Sequence, residues 1–582
     1  MKIEVGFEKP DASSSTDYDL KGIPIHDSTK KISKYMFYNC TTIKYINIPE
    51  GIEEIEDQAF EGCTSMTSII LPKSVKSIGK KAFYGCKSLT SISLPPSLTE
   101  ISDWLFKDCE ELTTINIIDE NDSDGQLPSG VTCIGFNAFD NCKKLENIAL
   151  HDGITIIKDA AFRNCESFQG TIILPNTITE INKFVFKGCK KITKITTDGE
   201  ITIIDDGAFK DCEKLLNVRD ILDNAISIGK SIFSGCKTLR SISNFPANSI
   251  KSFDDMFNGC ESLINIIIPV GATQIGNNAF KGCKKLRTIN IPNYITSIEK
   301  NAFEGCSLLN EVNFAENSSL TTIKDYAFKD CISLQSIILP DTVNELGNYA
   351  FLGCAALTSF TFPSLITTIN SGLFKDCTSL STISMNNNIT KINNNAFENC
   401  SVLGTNSVIK LSSKLNAIEE SAFKGCSKLG NGNYSLTIPS TVSYIGISAF
   451  ENCIGLKYLY FPNSKLTIIF KRAFANCRSL LNFMLPETIS SIGDAAFEGC
   501  KSLTIADIPS SIKTININLF NNCTSLKYLL LHPELQKILT GAFKGCGNLA
   551  TVIIPKTVIN IGNEEGKVKI EDIFETNIEV IM

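Results

Sequence analysis

The sequence predicts a β-rich solenoid of about 22 stacked coils, with a parallel β-sheet on one face and a second short strand and a short helical turn in each coil. Three observations carry this. Phe-x-x-Cys recurs twenty-two times between Phe37 and Cys546, and Cys133 alone stands outside the motif. Of the 21 intervals between successive motif cysteines, 13 are 23 residues and four are 24; a fixed period of about 20 to 50 residues marks an architecture in which one unit stacks on its own copies. The remaining four intervals (33, 25, 26 and 27) are insertions into a turn, because the pattern resumes in phase after each.

Within one period the elements follow in order. Leu89–Cys109 reads LTSISLPPSLTEISDWLFKDC, and Leu286–Cys306 reads LRTINIPNYITSIEKNAFEGC. The opening alternation puts Ile92 and Leu94 inward and Ser91 and Ser93 outward, which is a short strand. Proline follows directly in many copies, among them Pro72, Pro95, Pro292 and Pro486, and ends the pairing because it has no N–H to give. A second apolar pair such as Val75 and Ile78, often with glycine next (Gly79, Gly276, Gly446, Gly493), predicts a second short strand or extended segment. Ala-Phe-x-Gly-Cys then predicts one turn of helix that buries Phe and Cys and closes the corner with glycine.

The unbroken repeat overrides the several globular domains that 582 residues would suggest. Residues 1–19 are expected to be a flexible tail and residues 20–562 the solenoid. Its first coil, 20–37, is degenerate and retains Ile23, Ile25 and Ile32, and an acidic loop is inserted at 118–130. Residues 563–582, which keep apolar spacing but lose the motif, are expected to form a C-terminal cap. Apolar content of 43% is enough for a core, and a net charge of -7 without a block of like charges gives no sign of a nucleic-acid partner. Residues 1–15 lack the apolar run of a signal peptide, and no stretch of about 18 apolar residues occurs, so neither export nor membrane insertion is expected.

The motifs L-x-x-I-x-L-P and I-G-x-x-A-F-x-G-C resemble the leucine-rich repeats of the BspA-like family, also called the Treponema pallidum type, over roughly residues 20 to 562. The resemblance implies a leucine-rich-repeat right-handed superhelix used for protein binding. It also implies kinship with bacterial and protozoan surface proteins that adhere to extracellular matrix or other cells, alongside members without a secretion signal.

Several features invite a chemical role. The cysteine column repeats at a spacing that a disulfide or metal ladder would need, yet no Cys-x-x-Cys occurs and each cysteine follows the buried Phe by three. A small buried thiol is the expected role, with the ladder as the alternative. Histidine occurs only at His26, His151 and His532, far apart in the array, so no His-based catalytic site is expected. No phosphate-binding glycine loop follows a strand either. Glu120, Asp122, Asp124 and Gly125 mimic the start of a calcium loop, but its twelfth position is Val131, so a solvated acidic loop is expected. Asn121, Asn317, Asn388 and Asn433 lie in Asn-x-Ser/Thr sequons that matter only in a secreted protein.

The outward positions of the main strand point to function. Most are small and neutral, as at Ser91 and Ser93, Thr114 and Asn116, Ser241 and Ser243, Thr288 and Asn290, and Thr382 and Ser384. Toward the carboxyl end they become Tyr458, Tyr460, Met484, Ile505, Tyr528, Leu530 and Ile553. Five rungs would make an apolar, tyrosine-rich patch about 20 Å long, and tyrosine is enriched where partners dock. The expectation is a non-enzymatic, cofactor-free cytoplasmic scaffold that binds other proteins, within a large assembly such as the cytoskeleton. No small-molecule substrate is expected. The alternative is a cell-surface adhesin that binds host or matrix proteins.

Overall fold

The computed structural model describes residues 17–19, 30–118, 125–242, 245–250, 253–405, 408–430, 435–562, 573–574 and 579–581. The chain divides into two compact units, Met1–Thr273 with Asn278–Lys285 and Gln274–Asn277 with Leu286–Met582. Both are β-solenoids in which every named strand pair is parallel.

Each coil offers three rows of hydrogen bonds to its neighbours. The first row is the strand read from L-x-x-I-x-L-P. Ser91–Leu94 pairs with Thr114–Ile117 in one unit, and Thr288–Ile291 with Glu311–Phe314 in the other. Registers place like on like, Ile92 on Ile115 and Ile289 on Val312, so one inward column stays apolar along the stack. Proline ends the strand and its carbonyl then accepts a turn bond, as Pro72 does from Val75 at 3.3 Å and Pro486 from Ile489 at 3.1 Å.

The second row forms longer sheets from shorter strands. Thr368–Ile369, Lys391–Ile392, Ala417–Ile418, Tyr444–Ile445, Ile468–Ile469 and Ser491–Ile492 make one six-stranded sheet. The 33-residue interval leaves this row intact, because Glu100–Ile101 pairs with Cys133–Ile134. Cys133 therefore sits at an outward strand position, half-buried, away from the cysteine column.

The third row replaces the helical turn expected at Ala-Phe-x-Gly-Cys with linked short turns. Cys63 N–H bonds Phe60 C=O at 3.2 Å, and Met66 N–H bonds Cys63 C=O at 3.2 Å, both spanning three residues. Gln58 (φ 59°) and Gly62 (φ 76°) are left-handed and break any continuous helix. That break turns the N–H groups of Gln58, Phe60 and Gly62 outward onto Lys80, Ala82 and Tyr84 C=O of the next coil, at 2.9, 2.9 and 2.8 Å. A helix would keep these bonds to itself; the interrupted turn spends them on stacking. Among the described residues the one α-helix is Arg219–Leu222.

The motif side chains fill the space behind this corner. Phe60, Phe83 and Phe106 are fully buried and stack in near-parallel planes 5.5 and 5.7 Å apart, and Phe328, Phe351 and Phe374 repeat the arrangement in the second unit at 5.4 and 5.5 Å. Outside the core, serine and threonine bond along the stack. Thr90 Oγ1 donates to Thr67 C=O at 3.2 Å, Thr113 to Thr90 at 2.9 Å and Thr155 to Thr132 at 3.2 Å. Many of the small hydroxyls are thus coil-to-coil ties.

Asp17–Asp19, the last residues of the expected tail, pair with Tyr45–Asn47, and Lys31–Ile32 pairs with Glu54–Ile55. Ile23 and Ile25 of the degenerate first coil lie outside the described residues, as do 119–124 of the acidic insertion. In the segment expected to cap the far end, Phe543 N–H bonds Ile573 C=O at 3.1 Å and Phe574 stacks on Phe543 at 5.4 Å. Ile573 and Phe574 occupy the places of Ala and Phe in a further coil, and Glu579–Ile581 pairs with Thr551–Ile553.

Candidate protein-binding face

The outward side of the first strand row presents two positions per coil. Over much of its length these are small, as at Ser91, Ser93, Thr114 and Asn116, all partly covered, and Thr288 and Asn290, which are exposed. Isolated exposed isoleucines interrupt it at Ile70, Ile173 and Ile267 in the first unit and Ile338 in the second.

The carboxyl-terminal coils differ because successive rungs all carry apolar side chains. Tyr458 is half-buried, and Tyr460, Met484, Ile505, Tyr528, Leu530 and Ile553 are exposed, with Met484 at 82% and Ile553 at 67%. Strand pairing brings Ile505 beside Tyr528. Tyr458 pairs with Asn482 through an isolated bridge, while Met484 lies outside any named strand. The band is staggered, since Asn482, Asp507 and Thr551 take the second outward place on rungs whose other place is apolar. One member escaped the sequence reading. Ile581 pairs with Ile553 and is 47% exposed, and Glu579 Oε2 accepts from Thr551 Oγ1 at 3.3 Å. The alternation Glu579-Val580-Ile581 was the available signal, hidden because the motif stops before it.

The other candidates settle into structural roles. Motif thiols donate to the carbonyl of the phenylalanine 26 residues back in regular coils, Cys63 to Phe37 and Cys109 to Phe83 at 3.1 Å, Cys500 to Phe474 at 3.4 Å. Burial pushes the Cys63 thiol up to about 12, and those of Cys86 and Cys400 far above their ordinary value. A protonated, hydrogen-bonded thiol behaves as a small core filler, not as a ligand or nucleophile. Among the described residues no group of three or more His, Cys, Asp or Glu is placed to hold a metal ion. His151 bridges Pro128 C=O and Gly153 N–H, each at 3.1 Å, His532 lies 3.5 Å from Asp507, and His26 is outside the described residues. So are Glu120, Asp122 and Asp124, and the sequon residues Asn121 and Asn433. Asn388 is engaged with Ser364 C=O and Lys414, whereas Asn317 is exposed.

Two ion-pair groups clamp the corners. Asp140, 1% exposed, accepts from Lys107 at 2.6 Å and from both Nε and Nη2 of Arg163 at 2.8 and 2.5 Å. Arg472 holds Glu451 and Glu498 at 2.7 and 2.6 Å. Burial works to raise the Glu451 carboxyl, but Arg472 and Ser448 outweigh it and hold the group below its ordinary value.

The family model for the BspA type leucine rich repeat region matches this chain in six copies, at residues 13–126, 121–240, 216–321, 311–430, 433–477 and 443–565. The chain belongs to the BspA type leucine rich repeat family. Comparison with curated proteins finds no match. Among solved structures, this leucine-rich repeat is similar to a leucine-rich repeat protein of Eubacterium ventriosum, at 22% identity over 51% of this chain and 85% of that one, TM-score 0.38. A leucine rich cell surface protein of Faecalibacterium prausnitzii matches at 24% identity over 76% and 93%, TM-score 0.34. The T. pallidum leucine rich repeat protein matches at 20% identity over 45% and 83%, TM-score 0.20. No helix among the described residues is long and apolar enough to cross a membrane.

Proposed function

We propose that this BspA type leucine-rich repeat is a non-enzymatic binding protein whose docking face is the band formed by Tyr458, Tyr460, Met484, Ile505, Tyr528, Leu530 and Ile553, extended by Ile581. The observation that carries this is the contiguity of exposed apolar side chains on successive rungs, where the other rungs carry small or charged residues or a lone apolar side chain such as Ile338 or Val408. The Tyr458→Ser, Tyr528→Ser double variant should keep its melting temperature within about 2 °C, because both rings are largely outside the core. It should weaken partner binding at least tenfold, about 1.4 kcal/mol. Unchanged affinity for a partner captured by the parent protein would end the proposal.

Family membership favours display on the cell surface as an adhesin. The second reading, an intracellular scaffold, is favoured by the cysteines, all of which are free thiols and none paired in a disulfide. Protease shaving of intact cells separates the two, since an adhesin is cleaved and a scaffold is not. For the chain's organisation we propose a tail at 1–19, a solenoid at 20–562 and a cap at 563–582. Limited proteolysis should cut the first segment ahead of the strand at Asp17–Asp19, while the last segment stays with the solenoid.

A further inference from the structure

The second strand row carries a notch where one of the motif glycines falls between two large side chains, on a different face from the proposed band. Tyr444 pairs with Ala417 on one side and Ile468 on the other, and the residue after each strand's isoleucine occupies one column: Glu419, Gly446, Phe470. Backbone bonds confirm the equivalence, Gly446 N–H to Ile418 C=O at 2.8 Å and Phe470 N–H to Ile445 C=O at 2.9 Å. Glycine therefore stands between a carboxylate and an aromatic ring two coils apart, about 10 Å. A Cβ on Gly446 would come within 2.5 Å of the Glu419 backbone, so this rung admits no side chain here. The result is a cleft of about 390 Å³ walled by Glu419 and Glu420 on one side and Phe470 on the other, with Tyr444, Ile447 and Ile468 along its length.

The chemistry of the walls is asymmetric. Glu419 Oε1 receives both Tyr444 Oη at 2.6 Å and Lys391 Nζ at 2.8 Å, while its Oε2 makes no bond among the described residues. Glu420 is exposed and makes no ion pair among the described residues. Burial, then the bond to Glu419, pushes the Tyr444 hydroxyl up to about 12, so it stays a donor and fixes that carboxylate. Two carboxylates against Lys391 leave this wall net negative, while the exposed Lys471 stands beside Phe470 at the far end of the cleft, in the column of Glu420 and Ile447. Tyr444 and Phe470 meet edge to face at 6.0 Å, and Phe470 is 39% exposed, offering the cleft ring surface.

We propose that this cleft binds a cationic side chain, lysine or arginine, of a protein partner. The charged head meets Glu420 and Glu419 Oε2, and the aliphatic stem lies against Phe470 and Ile468. The inference rests on the reading of the chain as a protein-binding repeat but uses a different face from the tyrosine band.

The test is a methyl NMR titration of the full chain with a blocked pentapeptide, Gly-Gly-Lys-Gly-Gly, its arginine form, and a norleucine form that keeps the stem and removes the charge. Ile447 and Ile468 report the cleft; Ile505 and Ile553 report the band. Ile447 and Ile468 should shift saturably with the lysine and arginine peptides. Affinity should fall about threefold or more in Glu420→Gln, in Phe470→Ser, and on raising salt from about 0.05 to about 0.5 M. Equal shifts with the norleucine peptide, or no shift with any, would overturn the proposal. Shifts at Ile505 and Ile553 alone would overturn it too while leaving the docking band standing.

Discussion

Raising the pH should unfold this protein through its thiols. Nine motif thiols from Cys63 to Cys260 in the first unit and nine from Cys331 to Cys523 in the second are held above their ordinary 9.0, in each case chiefly by burial. In the unfolded chain each thiol loses its proton near 9.0; in the native protein it keeps it. The contribution to stability is therefore complete below pH 9 and is lost as pH rises toward 12 and beyond. At about pH 10 each thiol favours unfolding by about 1.4 kcal/mol, so nine oppose each unit by roughly 13 kcal/mol. That matches the whole stability of an ordinary domain, about 5–15 kcal/mol. Thermal melts followed by circular dichroism under reductant, from about pH 8 to 10.5, should show a steep, cooperative fall in melting temperature. Thiolate absorbance should rise in the same step as secondary structure is lost. A flat melting temperature over that range, or thiolates forming while the circular dichroism stays native, would refute the reasoning.

Two further outcomes follow from the packing. Asp140→Ala leaves Lys107 and Arg163 facing a buried vacancy and should cost about 2–3 kcal/mol by denaturant titration, with Asp140→Asn recovering part of it. Phe328→Ala removes a fully buried ring stacked 5.1 Å from Phe303 and 5.4 Å from Phe351, and should cost about 3–5 kcal/mol, where Phe328→Leu costs less than half as much.

Much of the fold was legible because every coil repeats the same local instructions. The alternation at Ser91–Leu94, the proline after it and the Phe-x-x-Cys corner each act within a few residues, and like pairs with like in the stack. The corner itself was less legible. Ala-Phe-x-Gly-Cys has the composition of a helical turn, and only the neighbouring coil, which accepts the N–H groups of Phe60 and Gly62, makes two left-handed residues the better solution. The outward pattern of Tyr458 to Ile553 could be read from period-two alternation, and those side chains do stand outward. Ile581 could not, because it joins the band by pairing with Ile553 after the repeat has ended.

The sequence by itself determined the repeat, the family and which side chains enter the core, since burial follows a period set within each coil. Tertiary structure decided what lies beside what on the surface. Glu419, Gly446 and Phe470 are separated by 27 and 24 residues, and a fixed period of 23 would not align them. Insertions change the chain length of a turn without changing the height of a rung, so surface neighbours are fixed by stacking and not by sequence distance.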